Sequence, residues 1–270
     1  MRRAFLALLM LGTTPLMAET WPELVLASEH PVEGMRGGNL SGLAMCQGEV
    51  WAVSDRDDDQ IYRLDTRYPE WLAEAVKIHL PRPPQSGLPW GVRMMGKAIS
   101  PLRGGDLDFE GIAINPQGNQ IWLAAERERR GLLTIRKKQS VWDCEDGCVI
   151  MSEAGPEQPP PQLKAKPQAK DFADLAVFEG KLFTLERMAY RVCRRTPATG
   201  QVERCWSFAA DALTAPRRYA SAYGNAEALS VDAQGAWIGV DNGNHVRADG
   251  EARPVVWRFA APPGGWSARS

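Results

Sequence analysis

Histidine is scarce in this chain, at three in 270 residues. That removes a histidine-rich metal centre and weakens any Ser-His-Asp reading. A P-loop, a G-x-S-x-G nucleophile turn and an H-E-x-x-H helix are also missing, so three common catalytic motifs find no place. Charge of one sign is not in excess, because 32 Lys and Arg stand against 33 Asp and Glu for a formal net charge of −1. Without a basic surplus, nucleic acid is not an expected partner. Beyond the N-terminal segment no apolar run is long enough to span a bilayer.

The N-terminal segment has a secretory pattern. Arg2 and Arg3 form a positive stretch, Ala4 to Leu11 a short apolar core, and Ala18 is the expected cleavage point. The expected organisation is therefore a signal peptide over 1–18 and one domain over 19–270, in a periplasmic or secreted protein. Export permits disulfides. Of the five cysteines, Cys193 and Cys205 flank "RRTPATGQVER", whose turn centres near Thr199 and sets them opposite each other across a hairpin. Cys144 and Cys148 flank "EDG" and can also pair. Cys46 is left as a buried thiol. A zinc site is the alternative, but neither a Cys-x-x-Cys pair nor a nearby histidine supports it.

Four segments of the chain align. They are "NLSGLAMCQGEVWAVSDR" (Asn39–Arg56), "DFEGIAINPQGNQIWLAAER" (Asp108–Arg127), "DFADLAVFEGKLFTLER" (Asp171–Arg187) and "NAEALSVDAQGAWIGVDN" (Asn225–Asn242). Each opens on Asp or Asn and alternates large with small residues, which is the two-residue period of a strand. The large position is Leu43, Ile112, Leu175 or Leu229. Its neighbours are small, except Asp174. A turn follows, with Gly48, Gly118, Gly180 or Gly235 expected to supply positive φ. The second strand carries Trp51, Trp122, Leu182 or Trp237, read as blade core. It ends on Asp55, Glu126, Glu186 or Asp241, followed by Arg56, Arg127, Arg187 or Asn242.

More strand-like sequence follows each copy, so each unit is about four antiparallel strands. That predicts an all-β fold, a β-propeller with four repeat units visible. The units are spaced more widely than a compact blade of roughly 40–45 residues, which leaves five or six blades open. The links "LPRPPQSGLPWG" (Leu80–Gly91) and "GPEQPPPQLKAKPQAK" (Gly155–Lys170) are too rich in proline for central strands and read as loops. The strand near Glu23–Ser28 is expected to complete the last blade.

In a propeller, equivalent strand ends converge on one face of the axis. The starts of the first strands share that face, which brings Glu110 and Glu227 to the same rim. Gathering carboxylates costs energy through like-charge repulsion. Two offsets stay open. A hard cation such as Ca²⁺ takes roughly six to eight oxygen ligands, or arginines pair with the acids around the ring. The run "DRDDDQ" (Asp55–Gln60) has the composition of a cation loop but lacks the glycine and terminal glutamate of an EF-hand, and reads first as a polar hairpin tip.

The units "LSGLAMCQGEVWAVSDR", "DLDFEGIAINPQGNQIWLAAER" and "GNAEALSVDAQGAWIGVDNG" resemble the "esterase-like activity of phytase" family of exported propellers, over roughly Asn39 to Phe259. The resemblance implies Ca²⁺-dependent hydrolysis of phosphoesters or carboxylesters. It places Glu110, Glu126, Glu186, Glu227 and Asp241 at an axial metal site, to which the repeat geometry adds Asp55. Glu110, Glu126 and Glu227 become the catalytic candidates. Arg56, Arg127, Arg187 and Asn242 become the candidates for holding a small, phosphorylated substrate. Ser41 and Ala173 stand where other units have glutamate and thin the ring. The alternative is a non-catalytic periplasmic propeller that binds a small ligand or a protein.

Overall fold

Among the described residues, sixteen strands build four antiparallel meanders, each run outward from the axis of a β-propeller. They are seen in a computed structural model, which describes residues 21–79, 91, 94–95, 109–115, 117–125, 131–136, 139–143, 156–163, 166, 168–169, 172–220 and 225–268. The signal segment, Asp108, Glu126, Arg127, Asp171, the link 80–90 and the Cys144 and Cys148 pair lie outside the described residues.

Strand β1 (Leu26–Glu33) precedes the first blade, which is β2 (Gly42–Cys46), β3 (Glu49–Val53), β4 (Gln60–Asp65) and β5 (Trp71–Lys77). The second blade is β6 (Phe109–Ile114), β7 (Gln120–Ala125), β8 (Gly131–Arg136) and β9 (Gln139–Asp143). A two-residue pairing of β10 (Pro156–Glu157) with β11 (Gln168–Ala169) interrupts the second proline-rich link. The third blade is β12 (Phe172–Phe178), β13 (Lys181–Glu186), β14 (Arg191–Arg195) and β15 (Val202–Ser207). The fourth blade holds β16 (Ala226–Val231), β17 (Gly235–Val240) and β18 (Val255–Ala260), and β1 is its outermost strand. Among the described residues there are thus four blades, each built on one of the aligned repeats. β1 also pairs in parallel with the start of β5, so the first and last blades share one eight-stranded sheet.

Alternation along the inner strands buries both faces. On β2, Leu43 packs with Ala228 and Val256 of the fourth blade, while its neighbour Ala44 packs with Phe109, Ile112 and Leu123 of the second. On β16, Leu229 joins Phe183, Leu185 and Trp206 of the third blade in the largest cluster. Large and small residues therefore alternate because successive side chains enter different seams. The small positions also set the tightness of the axis. A methyl group on Gly42 would lie 2.9 Å from Gly111 Cα and 3.1 Å from Ile112 N, so the inner strands of the first two blades meet backbone to backbone.

Three hairpin glycines have positive φ, namely Gly48 (82°), Gly118 (68°) and Gly180 (70°). Gly235 departs from the expectation. Its turn is held instead by Asp232 Oδ1, which accepts from the N–H groups of Gln234 (2.7 Å) and Gly235 (2.9 Å). Gly235 is needed for a close approach, because a Cβ there would meet Phe259 O at 1.9 Å. The repeat tryptophans Trp51, Trp122 and Trp237 are half-buried at the blade flanks rather than deep in the core. Trp237 donates to Asp232 Oδ2 (2.9 Å) and carries the Arg258 guanidinium over its ring. Cys193 and Cys205 are directly opposed on β14 and β15 and form the expected disulfide, with Cα atoms 4.0 Å apart. Cys46 is a buried free thiol whose Sγ donates to Asn115 O at 3.3 Å. No helix among the described residues is long and apolar enough to cross a membrane.

Candidate functional site at the strand-end rim

The D-x-E motif hides a feature that its spacing alone does not reveal. The ladder register shifts between Phe109 and Gly111 on β6, between Phe172 and Asp174 on β12, and between Ala226 and Ala228 on β16. The residue skipped in each case is Glu110, Ala173 or Glu227. A bulge leaves one residue unpaired and re-aims its side chain, which is how the motif glutamates leave the ladder at the rim. In the first blade the equivalent Ser41 instead accepts the Asp55 N–H on its Oγ (3.2 Å).

Electrostatics groups the strand ends of the first, third and fourth blades. Burial pushes the Asp241 carboxyl up to about 6, Asp55 adds to the rise, and the Gly243 N–H, Arg56 and Arg187 pull it back. Asp241 therefore feels Asp55, Arg56 and Arg187 at this rim. Arg56 Nε stands 3.5 Å from Asp55 Oδ1, and that same oxygen accepts from Asn39 Nδ2 at 2.8 Å. Arg187 reaches from the third blade to the fourth and donates to Glu227 Oε1. Asp241 Oδ1 accepts from Gly243 N at 2.7 Å.

Glu186 lies apart from this group. It is 1% exposed and points into its own blade, where its carboxylate takes Arg195 Nη2 (2.6 Å) and Arg191 Nε (2.5 Å). Donor atoms of Glu186, Cys193 and Cys205 lie within 4.8 Å of one another. The two sulfurs are joined in the disulfide, however, and a cystine offers no thiolate to a metal. Asp57 and Asp59 of the "DRDDDQ" run are also engaged locally. Buried Asp57 accepts from the Tyr62 hydroxyl and from Arg36 Nη1 (3.3 Å), and Asp59 pairs with Lys77 at 2.8 Å. Asn242 turns its Nδ2 to Ala252 O.

Asp174 is a residue of interest that the repeat pattern marks only as a break in the small-residue rule. It occupies the position filled by Gly42, Gly111 and Ala228 in the other blades. Its Oδ2 accepts from Leu229 N of the fourth blade and its Oδ1 from Leu175 N, each at 2.7 Å. A methyl group on Gly111 would lie 3.9 Å from Asp174 Oδ1. The innermost strands present an unpaired edge to the axis, and Asp174 satisfies part of it. Burial pushes its carboxyl well above the usual range, with Glu227 adding to the rise.

No family model matches the chain, and no curated protein matches it. Among solved structures, glutaminyl cyclase from Myxococcus xanthus is 14% identical, with 89% of this chain and 99% of that chain covered and a TM-score of 0.47. The PQQ-bound aldose sugar dehydrogenase of Streptomyces coelicolor is 11% identical, with 86% and 98% covered and a TM-score of 0.41. Likeness this distant passes no chemistry to the present chain.

Proposed function

We propose that the strand-end rim is the hydrolytic site of an exported, cation-dependent enzyme acting on anionic esters, with phosphoesters the favoured class. One observation carries this reading. Asp241 has a proton affinity lifted to about 6 beside Asp55, while two guanidinium groups, Arg56 and Arg187, act on the same carboxylate. Carboxylates beside guanidinium groups suit a cation and an anionic ester held side by side.

In this reading Arg187 and Arg56 bind the ester's anionic oxygens, and Arg187 exchanges part of its contact with Glu227 for the substrate. Asp241 stands with Asp55 as a carboxylate that would hold the cation. Asp55 is oriented by the Asn39 amide, which donates to its Oδ1. Glu110 and Glu227, set off the ladder by their bulges, and Glu126 at the equivalent strand end remain the candidates for orienting the attacking water. The donors at the rim are carboxylate and amide oxygens, which suit a hard cation such as Ca²⁺. A bound cation supplies Lewis-acid polarisation of an ester oxygen.

The test is hydrolysis of p-nitrophenyl phosphate, bis-p-nitrophenyl phosphate and p-nitrophenyl acetate by the mature chain with Ca²⁺. Arg187→Ala should raise KM, and Asp241→Asn should lower kcat with KM held. A protein that cleaves none of the three, and binds no phosphate in calorimetry, overturns the reading. The pairing of Arg187 with Glu227 favours the second reading, a propeller that binds a small ligand without chemistry. Phosphate binding without turnover is its signature.

A further inference from the structure

Two buried amide oxygens at the rim have no donor among the described residues. Asn39 and Asn242 are 1% and 2% exposed, and Oδ1 of each is buried without a hydrogen-bond partner. Their amide orientations follow from the partners of the nitrogens. Asn39 Nδ2 faces a carboxylate oxygen of Asp55, and Asn242 Nδ2 faces the carbonyl of Ala252. Turning either amide over would set oxygen against oxygen. A buried carbonyl oxygen left unpaired is costly, and a cation relieves that cost where no N–H can reach.

The two asparagines belong to opposite sides of one seam. Asn39 and Asp55 flank the inner hairpin of the first blade, and Asp241 and Asn242 follow β17 of the fourth. Gly38 has a φ of 71°, and a Cβ there would lie 3.1 Å from Asn242 Oδ1. Glycine thus keeps the space before that oxygen free of side-chain atoms. Asp55 and Asp241 follow the second strands of the two blades that meet here, so two carboxylates share the seam, a like-charge repulsion that a cation converts to attraction.

We propose that the seam between the first and fourth blades binds one hard divalent cation, with Asn39 Oδ1, Asn242 Oδ1 and the carboxylates of Asp55 and Asp241 as its ligands. This rests on the reading of the rim as a cation-dependent site and gives it a division of labour. The cation sits where the ring closes, and the anion sits one seam away, at the Arg187 and Glu227 pair between the third and fourth blades. Four oxygen donors with room for water or backbone carbonyls suit Ca²⁺ better than the strict octahedron of Mg²⁺. A cation bridging first and last blades also holds the ring shut, so it stabilises the fold whether or not substrate is turned over.

The experiment is calorimetric titration of the chelator-treated mature chain with CaCl₂, alongside its melting temperature. One Ca²⁺ per chain and a rise in melting temperature are expected. Asn39→Ala and Asn242→Ala should each weaken Ca²⁺ binding at least tenfold, and Asn39→Asp, which restores an oxygen, should bind at least as tightly as the wild type. Asp55→Asn, nearly isosteric, gives the same information if an alanine variant fails to fold. Arg187→Ala should leave Ca²⁺ affinity within about twofold while weakening phosphate binding. Absence of Ca²⁺ binding, or binding that both asparagine variants leave intact, overturns the seam site. Ca²⁺ binding lost in those variants, in a protein that hydrolyses no ester, upholds the seam and removes only the hydrolase.

Discussion

Replacing Asp241 by Asn should make the metal-free protein more stable, and only at the higher end of the pH range. In the folded state the Asp241 carboxyl is pushed from 3.8 to about 6, so the fold holds its proton more tightly than the unfolded chain does. The associated stability is fully present below pH 3.8 and is lost as the pH rises through 6. A shift of about two units at roughly 1.4 kcal/mol each gives an upper bound of about 3 kcal/mol, and partial solvent contact reduces it to about 2 kcal/mol. Asparagine keeps the size of the side chain and an oxygen for the Gly243 N–H, now at 2.7 Å, but never ionises. Urea unfolding of both proteins in EDTA, at intervals from pH 4 to pH 8, should show a gap near zero at pH 4. The gap should open to about 2 kcal/mol in favour of the variant at pH 8. A gap of one size across the range, or a variant less stable at pH 8, would refute the assignment of strain to this carboxylate.

Glu186→Gln, a change of the same chemistry at the equivalent repeat position, should act with the opposite sign. It leaves Arg195, fully buried, and Arg191 with a weakened partner, which costs about 3–5 kcal/mol when a buried pair is broken; a variant as stable as the wild type in urea would end the claim. Reduction of Cys193–Cys205, a bridge with a sequence separation of 12, should cost about 3 kcal/mol by loss of loop restraint, checked by unfolding with and without dithiothreitol. Gly42→Ala forces a methyl group against the Gly111 backbone and should lower stability by about 1–3 kcal/mol, read from the same urea curves.

Much of the architecture was legible because the repeat unit is written in local chemistry. The large residues Leu43, Ile112 and Leu229 with small neighbours announce inner strands, and Gly48, Gly118 and Gly180 announce the hairpins that follow. Cys193 and Cys205 could be paired because the turn between them is central. Blade number was not legible, since link length says nothing of whether a link holds strands. The rim was only partly legible. Alignment puts Glu186 and Asp241 at one position, but Arg191 and Arg195 on the next strand draw Glu186 inward, whereas Arg258, which opposes Trp237 as Arg195 opposes Leu182, turns to Gln234 and the Trp237 ring. The bulges were invisible because one unpaired residue leaves no trace in an alternating pattern this short. Asp174 was visible only as an exception among small residues, and its partner, the Leu229 backbone, carries no side-chain signature.

The segment from Trp21 to Glu33 runs along the rim of the molecule like a lace. Leu24 N donates to Ser207 O and Ser207 N donates to Pro22 O at the edge of β15, β1 pairs with β18, and its end pairs with β5. Three blades are thus joined by the first described stretch of chain, and its main partner, β18, comes late in the sequence. Leu26 is opposed by Phe259, so a ribosome adding roughly 5–20 residues per second leaves β1 without its partner for about 10–50 seconds. No blade arrangement can be sealed during synthesis. Closure is one late event with a long loop to pay for, which puts this chain among the slow folders of high contact order. Until then the lace is an unsatisfied strand that a chaperone, or a neighbouring chain, can claim.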